Sequence, residues 1–501
     1  MKPTKNNIKI IFGLKVKQLR QEKSLSLSAL AKKSGLSVSY LNEIESGKKY
    51  PKADKIAELA YALKVTYDKL VSLKLTRNLA PLGELLESNI FEQLPLVHYG
   101  IDINKLIVIM ANAPLQLSAL VTTLIDMAKS SELSRNNFSR TALRTYKEFN
   151  ENYFPDLEKA VEMFSQKYNL KSDFPINSSE LFKILEDKFE YKVDMKKLSE
   201  HPELSEVRGL FVPGQKNVLL LNKKLSDPQK TFILGKELAY KFLKISDRSY
   251  AYTGSRVDSF DQLLNNLNAS YFSTALIINK DKLIKDLKSF FGKGKWDGRE
   301  FLKLIKVYNS TPEMFIQRLA SLSSKFLDLH QFFFLRFNTA IGTNKYSLTK
   351  ELRLNTNENP GGYQSVEHYC RRWISIGVLK ELEEKINKNK KYDKPVIGIR
   401  KSQFYNSGDQ YLTISIARIN KMIDDNLSSV TIGFLVNDKL KQIIKFWNDP
   451  KIKVKVVNDT CERCVIADCK ERIAPPVAAE EKTKFDNIKT ALEKLMNELQ
   501  N

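Results

Sequence analysis

Histidine and cysteine, the residues that most often bind metals or act as nucleophiles, are scarce in this 501-residue chain, with four of each. The histidines, His98, His201, His330 and His368, are scattered without the spacing of a ligand set, and each reads as an ordinary surface or hydrogen-bonded residue. Long apolar runs are also missing. A stretch such as Leu106 to Met110 is far short of the roughly 20 residues a helix needs to cross a bilayer. No N-terminal stretch combines the charged, apolar and cleavage segments of a secretory signal. These absences predict a cytoplasmic protein with no membrane partner, whose thiols stay reduced and serve metal or redox chemistry rather than disulfides. Acidic residues are outnumbered, 58 Asp and Glu against 81 Lys and Arg, and the net charge of +23 favours polyanionic partners, nucleic acid first among them. The hydrophobic share, 42%, is that of a globular protein, and the length calls for three or four domains.

From Ile11 to Leu73 short amphipathic helices follow one another. Phe12, Val16 and Leu19 mark the apolar face of the first. Leu27, Leu30 and Ala31 mark the second, which stops at Ser34-Gly35. Ser37 is placed to cap a third helix, VSYLNEIESG, that buries Leu41 and Ile44. Two helices joined by a Gly-containing turn form a helix-turn-helix, whose second helix enters the major groove. Residues 1–80 carry 17 Lys and Arg against 6 Asp and Glu, so a local charge of +11 coincides with this motif. The stretch SALAKKSGLSVSYLNEIESGKKYPKADKIAELAYALKV closely resembles the DNA-binding domain of phage-repressor-like regulators, the XRE or Cro/repressor class. The resemblance implies a double-stranded DNA operator, with Val38, Ser39, Tyr40 and Glu43 facing base edges and Asn42 close to the backbone. It places Lys48 and Lys49 on phosphates and makes Arg20 and Glu45 an internal ion pair.

Past Arg77, apolar residues recur every three or four positions through Leu82–Tyr168. The region reads as a helical linker with a dimerisation role, and a passive spacer would show the same pattern. VRGLFVPGQKNVLLLN then reads as two strands around a Pro-Gly turn, followed by a helix opening at Asp227-Pro228. This order resembles the ImmA/IrrE-type metallopeptidase domain, in which that helix carries two zinc-binding histidines around a catalytic Glu. The H-E-x-x-H motif works because residues four apart share a helix face while the Glu activates a zinc-bound water. Here Lys236, Glu237 and Tyr240 occupy those places, and no Asp or Glu lies from Leu263 to Asn279, where the family draws its third ligand. The resemblance therefore implies the fold without the chemistry and without catalytic residues. Arg208, Lys236 and Tyr240 would line the emptied cleft and contact an anionic small molecule, or else sit as surface residues on a decayed scaffold.

Three of the four cysteines, Cys461, Cys464 and Cys469, stand in CERCVIADC with C-x2-C-x4-C spacing. They follow the strand-like runs PVIGIRK, YLTISIARI, SVTIGFLVN and KIKVKVV, with the helical segment DKLKQIIKFWND between the last two. Cys370 stands about 90 residues earlier in GGYQSVEHYCRRW. Four thiolates suit one metal centre. A structural zinc site normally pairs two C-x2-C knuckles, whereas an iron–sulfur cluster accepts three close cysteines and a remote one. Spacing leaves zinc and iron–sulfur open. Beyond the helix-turn-helix, the chain resembles the short-chain acyl-CoA-responsive regulators of propionate and glyoxylate metabolism. The likeness rests on NENYFPDLEKAVEMF, TPEMFIQRLASL, FFFLRFN, the Gly-Gly segment ending at Cys370, and CERCVIADCKERIAPP. That family usually has Cys-Pro-x-Trp close behind Gly-Gly, where this chain has Cys370-Arg-Arg-Trp further on. The resemblance implies a [4Fe–4S] cluster on Cys370, Cys461, Cys464 and Cys469 and a short-chain acyl-CoA effector. The last segment, EEKTKFDNIKTALEKLMNELQ, reads as an amphipathic helix at a subunit contact.

The expected fold class is multidomain, mainly α with α+β parts. A lambda-repressor-like helix-turn-helix domain spans 1–75, a helical linker or dimerisation region 76–168, and a degenerate zincin-like α+β domain 169–345. An α+β cysteine-cluster sensor domain spans 346–476 and a C-terminal helix 477–501. The expected function is that of a one-component transcriptional regulator, homodimeric or higher and not an enzyme. Its rivals are a metalloprotease that cleaves a partner repressor, and an iron–sulfur redox switch with no small-molecule effector.

Overall fold

The computed structural model describes residues 5–72, 100, 135–170, 175–252, 259–355, 367–423 and 425–500. Most of the expected linker, including Leu106–Met110, lies outside the described residues, as do His98 and the Gly361-Gly362 pair. The chain divides into two compact units, Met1–Tyr146 with Arg256–Leu263, and Lys147–Ser255 with Leu264–Asn501. Among the described residues no helix is long and apolar enough to cross a membrane.

In the first unit, five helices follow one another: α1 (Lys5–Glu22), α2 (Leu27–Ser34), α3 (Val38–Glu45), α4 (Ala53–Ala62) and α5 (Tyr67–Val71). Their apolar stripes meet in one core of Phe12, Val16, Leu30, Leu41, Ile44, Leu59 and neighbours. Helix α2 stops because Gly35 takes φ +70° and returns its N–H to the Ala31 carbonyl. Ser37 opens α3 by accepting the Tyr40 N–H at 3.1 Å, a cap that contributes about 1 kcal/mol. Helix α1 crosses the end of α3 so closely that a Cβ on Gly13 would stand 2.1 Å from the Ile44 carbonyl oxygen. Only glycine fits there.

The remaining described elements begin with α6 (Arg135–Phe149), α7 (Pro155–Lys167) and α8 (Ser178–Phe189). A small sheet of β1 (Lys192–Asp194), β2 (Gly209–Val212) and β3 (Val218–Leu221) follows in the order β1-β3-β2, then helix α9 (Asp227–Phe242). Four helices come next: α10 (Phe260–Ile277), α11 (Lys280–Phe291), α12 (Gly298–Val307) and α13 (Pro312–Leu327). The larger sheet is built from β4 (Phe332–Ala340), β5 (Ser347–Leu354), β6 (Val396–Phe404), β7 (Gln410–Ile419), β8 (Asn426–Leu435) and β9 (Val454–Val457). Its strand order is β5-β4-β8-β7-β6-β9, antiparallel except where β9 joins β6. Helix α14 (Ile374–Lys388) follows β5 in the chain, α15 (Asp438–Ile443) lies between β8 and β9, and α16 (Val477–Gln500) closes the sequence.

Both faces of this sheet are covered. One packs Phe332, Phe334, Leu412, Ile414, Ile432 and Phe434 against side chains of α11, α12 and α13. The other packs Phe333, Tyr411 and Leu427 against Trp373, Leu379 and Leu382 of the α14 segment. The central strands are therefore buried almost continuously instead of alternating.

Two expected boundaries move. The division at 345/346 falls inside the β4–β5 hairpin, and β4 pairs with β8 over nine residues, so the sensor-side sheet begins at Phe332. The expected linker also ends too late. Within 147–168, Glu158 on α7 is buried and accepts two hydrogen bonds from Arg318 on α13, at 2.5 and 3.0 Å. Burial alone would raise its pKa, but the Arg318 hydrogen bonds outweigh that and hold it below the usual range. Phe164 stacks edge-on against Phe272. Residues 147–168 thus belong to the core of the second unit.

Candidate functional site

The residues expected to contact DNA lie on α3 and in the turn after it. Val38, Ser39 and Asn42 on α3 are exposed, Tyr40 and Glu43 are half-buried, and Lys48 and Lys49 stand exposed just beyond the helix. Glu45, on the opposite side of α3, is buried and receives Arg20 Nε at 2.6 Å and Nη2 at 2.8 Å. Arg20 also donates to the Leu25 carbonyl at 2.8 Å, so one side chain ties α1, the α1–α2 turn and α3 together. Its pKa is raised by that Glu45 hydrogen bond. Lys49 and Glu43 are not both free for DNA in this conformation. Lys49 Nζ pairs with Glu43 at 2.8 Å and lies 5.7 Å from the centre of the Tyr40 ring.

In the second unit, α9 places Lys236, Glu237 and Tyr240 as the helical spacing requires, and all three are buried. Glu237 has no accessible surface. Its carboxylate accepts from Arg248 at 2.8 and 2.5 Å, from the Tyr191 hydroxyl at 3.1 Å, and from the Tyr252 hydroxyl. A carboxylate clamped by a guanidinium and two phenols is a structural anion with no access to water, not a general base. Tyr240 does not line a cleft: the Arg248 guanidinium lies 3.9 Å from its ring centre, and burial pushes its hydroxyl up to about 12. Lys236 donates to Asn266 Oδ1 at 2.6 Å, and burial, with Lys350 next, lowers its pKa to about 7. Arg208, just before β2, is close enough to add to that lowering. Lys236 and Arg208 therefore share one electrostatic neighbourhood, while Tyr240 belongs to the Glu237 network. The sequence pattern missed Arg248, because its partner lies eleven residues away across a turn.

The cysteines are gathered by two short segments that lie side by side. Tyr369 bridges Thr460, the Cys370 N–H bonds the Asp459 carbonyl at 3.0 Å, and the Cys461 N–H bonds the His368 carbonyl at 2.8 Å. Trp373 Nε1 fastens the same pair of segments by donating to the Asn458 carbonyl at 2.8 Å. Cys370, Cys461 and Cys464 are buried and Cys469 is partly exposed. Burial pushes the Cys370 thiol up to about 11, and the nearby Cys461 and Cys464 thiols add to the rise. Arg472, which no motif singled out, donates to the carbonyls of Cys461, Cys464 and Ile466 at 2.8, 2.9 and 2.6 Å. His368 Nδ1 sits 2.7 Å from Glu462, and Arg463 grips Glu367 at 2.7 Å, locking the two segments from outside. Soft thiol donors suit zinc or iron–sulfur chemistry. Among the described residues, however, no group of three or more His, Cys, Asp and Glu side chains stands in a metal-holding arrangement.

Residues 16–70 match the helix-turn-helix family. The chain is 41% identical over 61 residues to the HTH-type transcriptional repressor RghR of Bacillus subtilis (strain 168), a match covering 12% of this chain and 45% of that protein. The chain thus spans less than half the length of this curated relative. Among solved structures it is similar to a Mycobacterium tuberculosis transcriptional regulator, at 15% identity and a TM-score of 0.45, over 67% of this chain and 94% of the other. The amino-terminal unit carries a helix-turn-helix domain.

Proposed function

We propose that this chain is a one-component, DNA-binding transcriptional regulator of the XRE class, acting in the cytoplasm as a homodimer or higher oligomer. The observation that carries the reading is the exposed face of α3, with Val38, Ser39 and Asn42 outward, braced from behind by the Arg20–Glu45 pair and followed by Lys48 and Lys49. A recognition helix needs such rigidity, because base readout depends on side chains held in register with the groove. The test is binding of the full chain to genomic fragments at low ionic strength. Tyr40→Ala and Lys48→Gln should both reduce occupancy, and unchanged occupancy in both variants would sink the reading.

The second unit would supply the signal. An anionic metabolite, a short-chain acyl-CoA in this reading, would bind on the side of Arg208 and Lys236 and shift operator affinity by preferring one conformation. Support comes from the grouping of those two cations and from the family likeness. Thermal-shift measurements with acetyl-CoA, propionyl-CoA and free CoA check it, and no shift with any of them leaves the redox switch without an effector as the better account. Cys370, Cys461, Cys464 and Cys469 would hold a [4Fe–4S] cluster, with zinc as the alternative. The burial of three thiols from two distant segments supports that assignment. Iron and sulfide near four per chain after anaerobic purification is the expected result, and stoichiometric zinc would replace the cluster. The clamp on Glu237 speaks against the metalloprotease rival. Proteolysis of a partner repressor that Glu237→Gln abolished would revive it.

A further inference from the structure

Helix α16 is rooted on the cysteine turn. Ala479, in its first turn, is buried and donates its N–H at 3.0 Å to the carbonyl of Glu462, the residue after Cys461. From Glu480 to Asn497 every described side chain is exposed. Four of them are large, apolar and aligned: Phe485, Ile488, Leu492 and Leu495 are 69%, 51%, 55% and 52% exposed. They follow one another at intervals of 3, 4 and 3 residues, the a and d positions of successive heptads. Such a stripe is narrower than the one that seats a helix on a globular core. On every other described helix at most one large apolar side chain is exposed.

The charges around the stripe decide what can cover it. Val477–Gln500 carries four lysines and five acidic residues, in a chain whose net charge is +23. A helix made for nucleic acid or an anionic lipid surface has a basic polar face, and this one is balanced. A second copy of the same helix therefore meets no net repulsion. The flanking positions choose the direction. In a parallel pair each g residue faces the e residue of the next heptad, which sets Lys484 against Lys489 on both sides. In an antiparallel pair g faces g and e faces e. Phe485 then packs on the partner's Leu495 and Ile488 on the partner's Leu492, each layer formed twice. Lys482 falls against the partner's Met496, Lys489 meets its own copy once on the axis, and Ala491 meets its own copy where a small residue lets the helices close.

We propose that α16 pairs with α16 of a second copy of this chain as an antiparallel two-stranded coiled coil, with Phe485, Ile488, Leu492 and Leu495 as its seam. Removal of these side chains from water drives the pairing. The proposal rests on the homodimeric reading above and gives it an interface. Because α16 is rooted at Glu462, the cysteine turn sets where each copy presents its seam.

The test is sedimentation equilibrium of the full chain over a range of protein concentrations. Leu492→Lys sets a charge at the middle of the seam in both copies and should raise the dimer dissociation constant about a hundredfold or more, the least that two buried leucines contribute. Ile488→Ala should raise it about tenfold or more, and Thr490→Lys, on the opposite side of the helix, should leave it unchanged. All three positions are exposed within the chain, so the variants should fold as the wild type does. Lys489→Glu should also leave the constant unchanged, whereas a parallel pair would gain two Lys484–Glu contacts and tighten. Tightening overturns the antiparallel arrangement. A dimer that survives Leu492→Lys and Ile488→Ala at wild-type strength overturns the seam and leaves the homodimeric reading standing. A wild-type chain that stays monomeric throughout overturns both, and a lower melting temperature in its Leu492→Lys variant would then place the stripe against another part of the same chain.

Discussion

Arg20 and Glu45 meet through two parallel hydrogen bonds, Nε to Oε1 at 2.6 Å and Nη2 to Oε2 at 2.8 Å, on the side of α3 away from its exposed face. The pair lies on the hidden side of α3, so in the proposed reading it would govern DNA binding without touching DNA. Arg20→Ala leaves a buried carboxylate unpaired and should cost about 3 kcal/mol in local stability. Faster amide hydrogen exchange in α3, together with weaker operator binding, is the expected result. Gly13→Ala should act the same way, because its methyl group would meet the Ile44 carbonyl. Unaltered exchange in both variants would mean that α3 is held by other contacts.

Lys48 is exposed just past α3 and reads as a phosphate contact. Lys48→Gln should weaken binding to all sequences alike and reduce the slope of log affinity against log salt by about one. Tyr40→Ala should instead change the preference among operator variants. A Lys48→Gln protein with the wild-type salt slope would remove Lys48 from the interface.

Lys236 gives the second unit a signature in pH. Arg208, Arg248 and Lys350 face it with positive charge, Glu237 with negative charge, and Asn266 accepts a hydrogen bond from it. Its folded pKa, lowered to about 7 by burial, lies below the ordinary value of 10.5, so between those limits the unfolded chain binds more protons. Its contribution to stability therefore improves as pH rises from about 7 and is least favourable below that. Lys236→Met should raise the melting temperature more at pH 6 than at pH 9. An equal gain at both would place a solvated amine with an ordinary pKa at this position.

Arg472 holds the carbonyls of Cys461, Cys464 and Ile466 in one fan. Arg472→Gln should lower the metal content per chain after anaerobic purification, while Lys470→Gln, at a neighbouring exposed position, should not. If both retain the wild-type metal content, the cysteine turn does not depend on that clamp.

The elements that were legible beforehand are those whose cause is local. Ser37 caps α3 and Gly35 ends α2 because of their own side chains and backbone freedom, and the stripe of Leu41 and Ile44 needs only a period of 3.6. The grouping of Cys461 and Cys464 is likewise a matter of two intervening residues. The strand β4 and the helix α14 were not anticipated. FFFLRFNTA is buried on both faces and so lacks alternation, and a short apolar run of that kind does not declare its partner.

What the amino-acid order settled unaided is the amino-terminal module, the absence of the two histidines from α9, and the crowding of three thiols near the carboxyl end. What only the folded chain decided is which distant residues meet. Glu237 became a sealed structural anion because Arg248 and two tyrosines closed on it. Cys370 came to lie beside Cys461 because the segments around them pair. Arg336, Lys350 and Arg418 share one face because β4, β5 and β7 are joined in a register that hydrogen bonding between remote strands selects, and no local pattern carries that choice.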